Sequence, residues 1–311
     1  MLRQILWRPD VVWVVEPTLF CAPAAWATAR LAGTPCWLHV QDFEVDAAFQ
    51  LELLGGATMR RAVASCERWL MRRFDCVSTI SRSMLERAAS RGVEPQRLLL
   101  VPNWVDMKAL APPKGPNPLR PELGIAAGDA VALYSGTMGK KQGLELLAAA
   151  AERLQGLPGL VFVFCGNGPG REQLETSCKH LPNVRFLDLQ PPERLGALLG
   201  MADIHLLPQQ AGAADLVMPS KLTGMLASGR PVVATSAEGT EIARVVRERG
   251  VIVPPGDVDA LVGAIRELAA DDSMRARLGA NARAYAERHL SRDVVLARFE
   301  KELCELVDGT G

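Results

Sequence analysis

Three lysines stand where chemistry on a phosphate group would need them. Lys140 and Lys141 lie in LYSGTMGKKQGLE (residues 133–145), after a short apolar run and the glycines Gly136 and Gly139. Lys221 lies in DLVMPSKLTGMLASGRPVVA (215–234), directly after Pro219 and Ser220. Glycine turns let backbone amides face an anion, a helix start adds partial positive charge, and a lysine adds a full charge. A cation in the first turn of a helix, as at Lys221, opposes the helix dipole and is explained if it faces a phosphate. A further turn, VFCGNGPG (163–170), sets Gly166, Gly168 and Gly170 after another apolar run, with Arg171 where G-x-G-x-x-G would place its last glycine. None of these is the G-x-x-x-x-G-K-[ST] loop of a nucleotide hydrolase. Each alone fits an ordinary solvated connection. Together, in one half of the chain, they point to a phosphate-bearing ligand.

The elements that must position these residues alternate strand and helix. VVWVV (11–15), residues 36–40, 76–80 and 98–101 read as strands of a first domain. Helical patterns are expected from about 23 to 31, from about 46 to 74 with a break at Gly55-Gly56, and from 84 to 91 behind a Ser81 cap. Residues 111–124, APPKGPNPLRPELG, hold five prolines and no apolar period, which marks a linker. Beyond it, strands are expected at 131–135, 160–165, 184–187, 204–207, 232–235 and 251–253, the complement of a complete doubly wound domain. The organisation expected is 1–110, an incomplete N-terminal domain; 111–124, linker; 125–290, a nucleotide-sugar-binding domain; and 291–311, a C-terminal helix. VVWVV is too apolar for an open sheet edge. Something should lie against it, and no segment of the chain is left over to do so.

With 311 residues, 49% hydrophobic and 23% charged, the chain is globular and of two-domain size. Thirty-five basic residues balance 35 acidic ones, which excludes the basic excess of a nucleic-acid binder. Seven scattered cysteines without a Cys-x-x-Cys pair suggest a reducing cytoplasm, with neither disulfide nor zinc. Arg8, Pro9 and Asp10 interrupt the first apolar residues, so a signal peptide is not expected, and no apolar stretch has membrane-spanning length. TMRRAVASCERWLMRRF (58–74) interleaves Arg60, Arg61, Arg68, Arg72 and Arg73 with Trp69, Met71 and Phe74. It reads as an ordinary helix packed by its apolar face, with peripheral contact to anionic lipid as the second reading.

The order of these stretches resembles the retaining, nucleotide-sugar-dependent glycosyltransferases of family 4, with two Rossmann-like domains in the GT-B fold. The resemblance runs through DCVSTIS (75–81), VPNWVD (101–106), residues 134–144, 164–174 and 183–188, ADIHLLP (202–208), residues 219–234 and GVIVPPGD (250–257). LHVQDFEVD (38–46) and PSKLTGMLASG (219–229) are most similar to the colanic-acid-type exopolysaccharide subgroup, described as fucosyltransferases. The resemblance implies a nucleoside-diphosphate sugar donor, with GDP-fucose a candidate, in a cleft between the domains. It implies a saccharide or lipid-linked acceptor, and a cytoplasmic enzyme at the inner face of the membrane. Lys141, and Lys140 beside it, would bind the diphosphate; Gly136 would be the loop glycine, and Thr137 replaces the usual arginine. Gly166, Gly168 and Leu187 would border the base. Ser220, Lys221 and Leu222 would begin the helix near ribose and phosphates, and Gly239 and Thr240 would offer amides. Asp42 would face the reacting sugar.

Three departures accompany the resemblance. The family's paired glutamates are replaced by Leu216 and Gly224, with Asp215 the nearest carboxylate. Gln41 stands where the family often has histidine, and His39, two residues earlier, reads as a core or capping residue. The family's first strand, its glycine-rich loop and two further units have no counterpart before Val11, so a partial N-terminal domain and weak activity of this chain alone are expected. Amides and lysines would stabilise the leaving diphosphate, and no metal is expected. The rival readings are a nucleotide-sugar-binding fragment without activity and an NAD-dependent oxidoreductase. Arg171 and the lack of a suitably spaced acid count against the second.

Overall fold

A computed structural model describes residues 7–16, 21–43, 57–110, 115–139, 142–209 and 219–309. The chain divides into two compact units: one from the described residues up to Asn103 together with those from Asp293 onward, the other from Trp104 to Arg292.

The first unit carries a four-stranded parallel sheet in the order β1-β2-β3-β4: β1 (Val12–Glu16), β2 (Cys36–Val40), β3 (Cys76–Thr79) and β4 (Leu98–Leu100). Helices α1 (Cys21–Ala32), α2 (Ala57–Met71) and α3 (Arg82–Ser90) connect them. Ser81 caps α3, its hydroxyl accepting from Met84 N at 3.3 Å, as its place before the apolar period requires. All five residues of β2 are buried, and Leu38, Val40, Phe74, Val77 and Met84 share one core. The expected helix over 46–74 is observed from Ala57, and its earlier part lies outside the described residues.

The second unit carries β5 (Ala130–Ser135), β6 (Leu160–Cys165), β7 (Val184–Leu187), β8 (Ile204–Leu207), β9 (Val232–Thr235) and β10 (Gly250–Val253). Its helices are α4 (Leu119–Glu122), α5 (Leu144–Arg153), α6 (Arg171–Cys178), α7 (Leu195–Met201), α8 (Lys221–Ala227), α9 (Glu241–Val246), α10 (Val258–Ala270) and α11 (Asp272–His289). The sheet is parallel, in the order β10-β9-β8-β5-β6-β7. The chain therefore runs outward from β5 through β6 and β7, then returns to lay β8 on the other side of β5. Such a reversal opens a crevice at the strands' C-terminal ends. β5 and β6 are apolar runs buried along their whole length, as central parallel strands must be.

Two expectations change. Of the proline-rich stretch at 111–124, the described part from residue 115 is docked on the second unit. Leu119 is fully buried, Asn117 donates to Ala197 O at 2.7 Å, and Arg120 pairs with Asp203 at 2.6 Å. The expectation that nothing in the chain lies against VVWVV changes for its face and not for its edge. The last helix, α12 (Arg292–Asp308), puts the Phe299 ring 5.3 Å from Trp13 and 4.9 Å from Trp37, covering one face of β1 and β2. β1 remains the outer strand among the described residues, with Trp13 and Val15 still exposed.

Removing Phe299 should therefore destabilise the first unit. Fully burying an aromatic ring contributes about 3–5 kcal/mol, and Phe299 is half-buried, so Phe299→Ala should cost about 2 kcal/mol. A urea titration measures this, with Val294→Ala on an exposed turn of the same helix as the control expected to shift little. Equal midpoints for the two variants would contradict the packing role.

Candidate functional site

The crevice beside β5 is built from three loops. The turn after β5 and the turn after β6 are laced by backbone bonds: Gly136 N donates to Cys165 O (3.0 Å), Met138 N to Asn167 O (2.9 Å) and Gly170 N to Met138 O (2.8 Å). This approach is too close for side chains. A Cβ on Gly166, at φ +141°, would lie 1.9 Å from Gly136 O, and one on Gly168, at φ +148°, 2.6 Å from Met138 O. These glycines thus serve contact between the two loops as well as any ligand.

Arg171, the residue that interrupts the dinucleotide fingerprint, holds this arrangement from the side. Its guanidinium donates to Gly166 O (2.8 Å) and pairs with Glu175 (2.7 Å) and Asp188 (2.6 Å). Gly166 N in turn donates to Leu187 O at 3.1 Å, tying the end of β7 to the same turn. An arginine that spans two strand ends has a framing role, and its presence is no defect in the turn.

The third loop brings Lys221. Its ammonium lies 3.1 Å from Gln142 Oε1, 3.4 Å from the Tyr134 hydroxyl and 4.5 Å from the centre of the Tyr134 ring. A Cβ on Gly136 would meet the same side chain at 3.6 Å. The Tyr134 hydroxyl donates to Thr137 O at 2.6 Å, so its oxygen faces the ammonium as an acceptor. Every one of these partners is neutral, and among the described residues no carboxylate pairs with Lys221. Burial pulls its ammonium down to about 8. A half-buried cation with neutral partners at a strand-order reversal has the chemistry to bind an anion.

The expected site residues divide accordingly. Gly136, Gly166, Gly168 and Lys221 come together, and Leu187 borders them through its carbonyl. Thr137 is exposed, with its carbonyl spent on Tyr134. Lys140 and Lys141 lie outside the described residues. Ser220 starts α8 but makes no side-chain capping bond, and α8 has seven residues, too short for much of a dipole. Leu222 is corrected: it is fully buried and its amide donates to Pro219 O at 3.0 Å, so neither group faces a ligand. The side chain of Thr240 is spent as the cap of α9, accepting from Ala243 N and sharing a 2.7 Å bond with Ser236. Gly239, at φ +86°, is exposed, and its amide has no partner among the described residues. Asp42 stands two residues beyond β2, half-buried, in the first unit.

Tyr134, Gln142 and the framing role of Arg171 are not anticipated by the sequence. Gln142 directly follows the two lysines, which is the available signal for it. Gly224 explains the missing second glutamate, since a Cβ there would meet Leu199 at 3.1 Å and Leu110 at 3.7 Å. A carboxylate on that face of α8 would point among leucines. The expectation of metal-free chemistry also leaves out an Asp-x-Asp triplet, Asp257-Val258-Asp259. Asp257 is occupied as the cap of α10, accepting from Ala260 N at 2.9 Å, and Asp259 pairs with Arg153.

Two parallel-sheet Rossmann-like units define a GT-B architecture. The chain belongs to the glycosyl transferases group 1 family, whose model matches residues 117–285, and a glycosyl transferase 4-like domain matches residues 1–104. It is 38% identical to WcaI of Escherichia coli (strain K12), a glycosyl transferase assigned to colanic acid biosynthesis, over 97% of this chain and 76% of that protein. It is 28% identical to the 2-deoxystreptamine N-acetyl-D-glucosaminyltransferase of Streptomyces fradiae, over 85% of this chain and 64% of that protein. Among solved structures, Anabaena Alr3699/HepE in complex with UDP and glucose superposes with a TM-score of 0.74 at 18% identity, covering 94% of this chain and 78% of that one.

The Lys221 environment carries a pH signature. Its charge in the folded protein is lost as pH rises through about 8, above the range near 6 in which a terminal phosphate completes its ionisation. Affinity for UDP or GDP should therefore fall as pH rises through that value, and the decline should be absent in Lys221→Met. Calorimetry across this range measures it. A flat wild-type profile would contradict the placement of Lys221 at the phosphate.

Proposed function

We propose that this protein transfers a sugar from a nucleoside-diphosphate sugar to a saccharide acceptor, with retention of anomeric configuration, in exopolysaccharide biosynthesis. The observation that carries the reading is Lys221: an ammonium held beside Tyr134 and Gln142, without a carboxylate among the described residues, where the strand order reverses. Breaking the glycosidic bond leaves negative charge on the diphosphate. A preset cation stabilises that charge without reorganising when it forms. Lys141, with Lys140 next to it, supplies the second cation in this reading.

Retention follows if the departing phosphate oxygen takes the proton of the incoming hydroxyl on the same face of the sugar, so that no protein nucleophile is required. Asp42 is the carboxylate proposed to face the reacting sugar. GDP-fucose is the donor to test first, because residues 38–46 and 219–229 resemble that subgroup. The acceptor is proposed to be lipid-linked and met at the inner face of the cytoplasmic membrane. On α2, Trp69 is half-exposed, and the Arg73 guanidinium lies 4.0 Å over its ring with Arg61 and Arg68 exposed nearby in sequence. That pattern suits an interface with anionic headgroups. Among the described residues no helix is long and apolar enough to cross a membrane.

Three measurements test this. Transfer should persist with a metal chelator present, and proton NMR of the product should show the donor's anomeric configuration. Lys221→Ala and Lys141→Ala should each weaken nucleoside-diphosphate binding about tenfold or more, since a charge-assisted hydrogen bond contributes about 1.5–3 kcal/mol. An absolute need for Mg²⁺ or Mn²⁺, or an inverted product, would overturn the mechanism.

A further inference from the structure

A line of buried polar side chains runs along the face of the first unit's sheet opposite the Leu38 and Val40 core and ends at the tip of β2. Trp37 Nε1 donates to Ser78 Oγ at 2.8 Å, Ser78 Oγ stands 2.8 Å from His39 Nδ1, and Gln41 Nε2 stands 2.8 Å from His39 Nε2. Trp37, His39 and Ser78 are buried, and Gln41 is half-buried. The sequence brings them together simply. His39 and Ser78 are register partners on β2 and β3, and Gln41 repeats the parity of His39 two residues on.

The chemistry of the donors fixes the direction of the line. An amide nitrogen only donates, so His39 Nε2 accepts and the imidazole proton sits on Nδ1. That proton goes to Ser78 Oγ, which accepts from the indole as well. A cationic His39 would set one N–H against another at Gln41, and burial acts in the same sense, pulling His39 down to about 4. The Gln41 nitrogen is thus spent inward. Its carbonyl oxygen has no partner among the described residues and is open to solvent. It lies just past the C-terminal end of a parallel strand, where sheets of this kind meet their ligands, and Asp42 follows directly. A neutral acceptor there suits a hydroxyl, which can donate, and not a phosphate, which cannot.

We propose that Gln41 accepts a hydrogen bond from a sugar hydroxyl during transfer, and that His39, held by Ser78 and Trp37, is the positioning residue that orients it. The identity of the ligand as a sugar rests on the glycosyl-transfer reading; the orientation of Gln41 does not. Two measurements on the full chain separate these. Nitrogen-15 NMR should find the His39 imidazole neutral and protonated on Nδ1 near neutral pH, and Gln41→Glu, whose carboxylate cannot donate, should move the proton to Nε2. A wild-type imidazole protonated on Nε2 would overturn the proposal, since Gln41 would then present its nitrogen outward. In kinetics, Gln41→Leu and His39→Phe should each lower kcat/KM for transfer about tenfold, with nucleoside-diphosphate affinity unchanged and the double variant no worse than Gln41→Leu alone. Gln41→Leu at the wild-type kcat/KM, or losses that simply multiply, would also overturn it. A wild type that transfers no sugar would sink the functional reading instead, and the imidazole spectrum would still decide the positioning of Gln41.

Discussion

A charged ammonium with neutral neighbours governs the second unit. Lys221 is drawn from water and given a carboxamide oxygen, a phenolic oxygen and an aromatic face, all of which tolerate its charge without neutralising it. Desolvating a cation is costly unless an anion completes the site. Among the described residues no carboxylate completes the pair, and the opening left by the reversal between β5 and β8 leaves room beside the ammonium for an anion. The rest of the unit can be understood as holding three loops close enough for that charge to stay in place.

That holding is done largely by backbone. Gly136, Gly166 and Gly168 allow the turns after β5 and β6 to touch, and Arg171 fastens the second turn to β7. The first unit follows another logic. Its sheet carries a buried polar line, Trp37 to Ser78 to His39, that ends at Gln41 beside Asp42, and Phe299 of the last helix covers the same sheet. One unit is thus arranged around charge and the other around a neutral acceptor next to a carboxylate.

Much of this was legible in the sequence because parallel strands buried on both faces read as continuous apolar runs. All ten strands among the described residues fall where they are expected, with ends displaced by a residue or so, as at Val12–Glu16 against 11–15, although β3 and β7 carry Ser78, Thr79 and Arg185. The glycine turns were legible for the same reason, since they close those runs, and Lys221 because it opens a helix after Pro219 and Ser220. Contacts between distant segments were not. Tyr134 and Gln142 lie 87 and 79 residues from Lys221 and no local pattern links them. Phe299 on Trp37 is equally remote. The burial of Leu222 is legible too, because Leu222, Met225 and Leu226 mark the buried stripe of α8 by their spacing.

The central claim is that the Lys221 ammonium is completed by the diphosphate of a nucleotide-sugar donor. The most direct measurement is a crystal structure of the full chain with UDP or GDP bound. The account predicts a phosphate oxygen within hydrogen-bonding distance of Lys221 Nζ, about 2.7–3.2 Å, with the nucleotide lying over the Gly136 and Gly166 turns. A nucleotide bound elsewhere, with Lys221 still resting on Tyr134 and Gln142 alone, would contradict it.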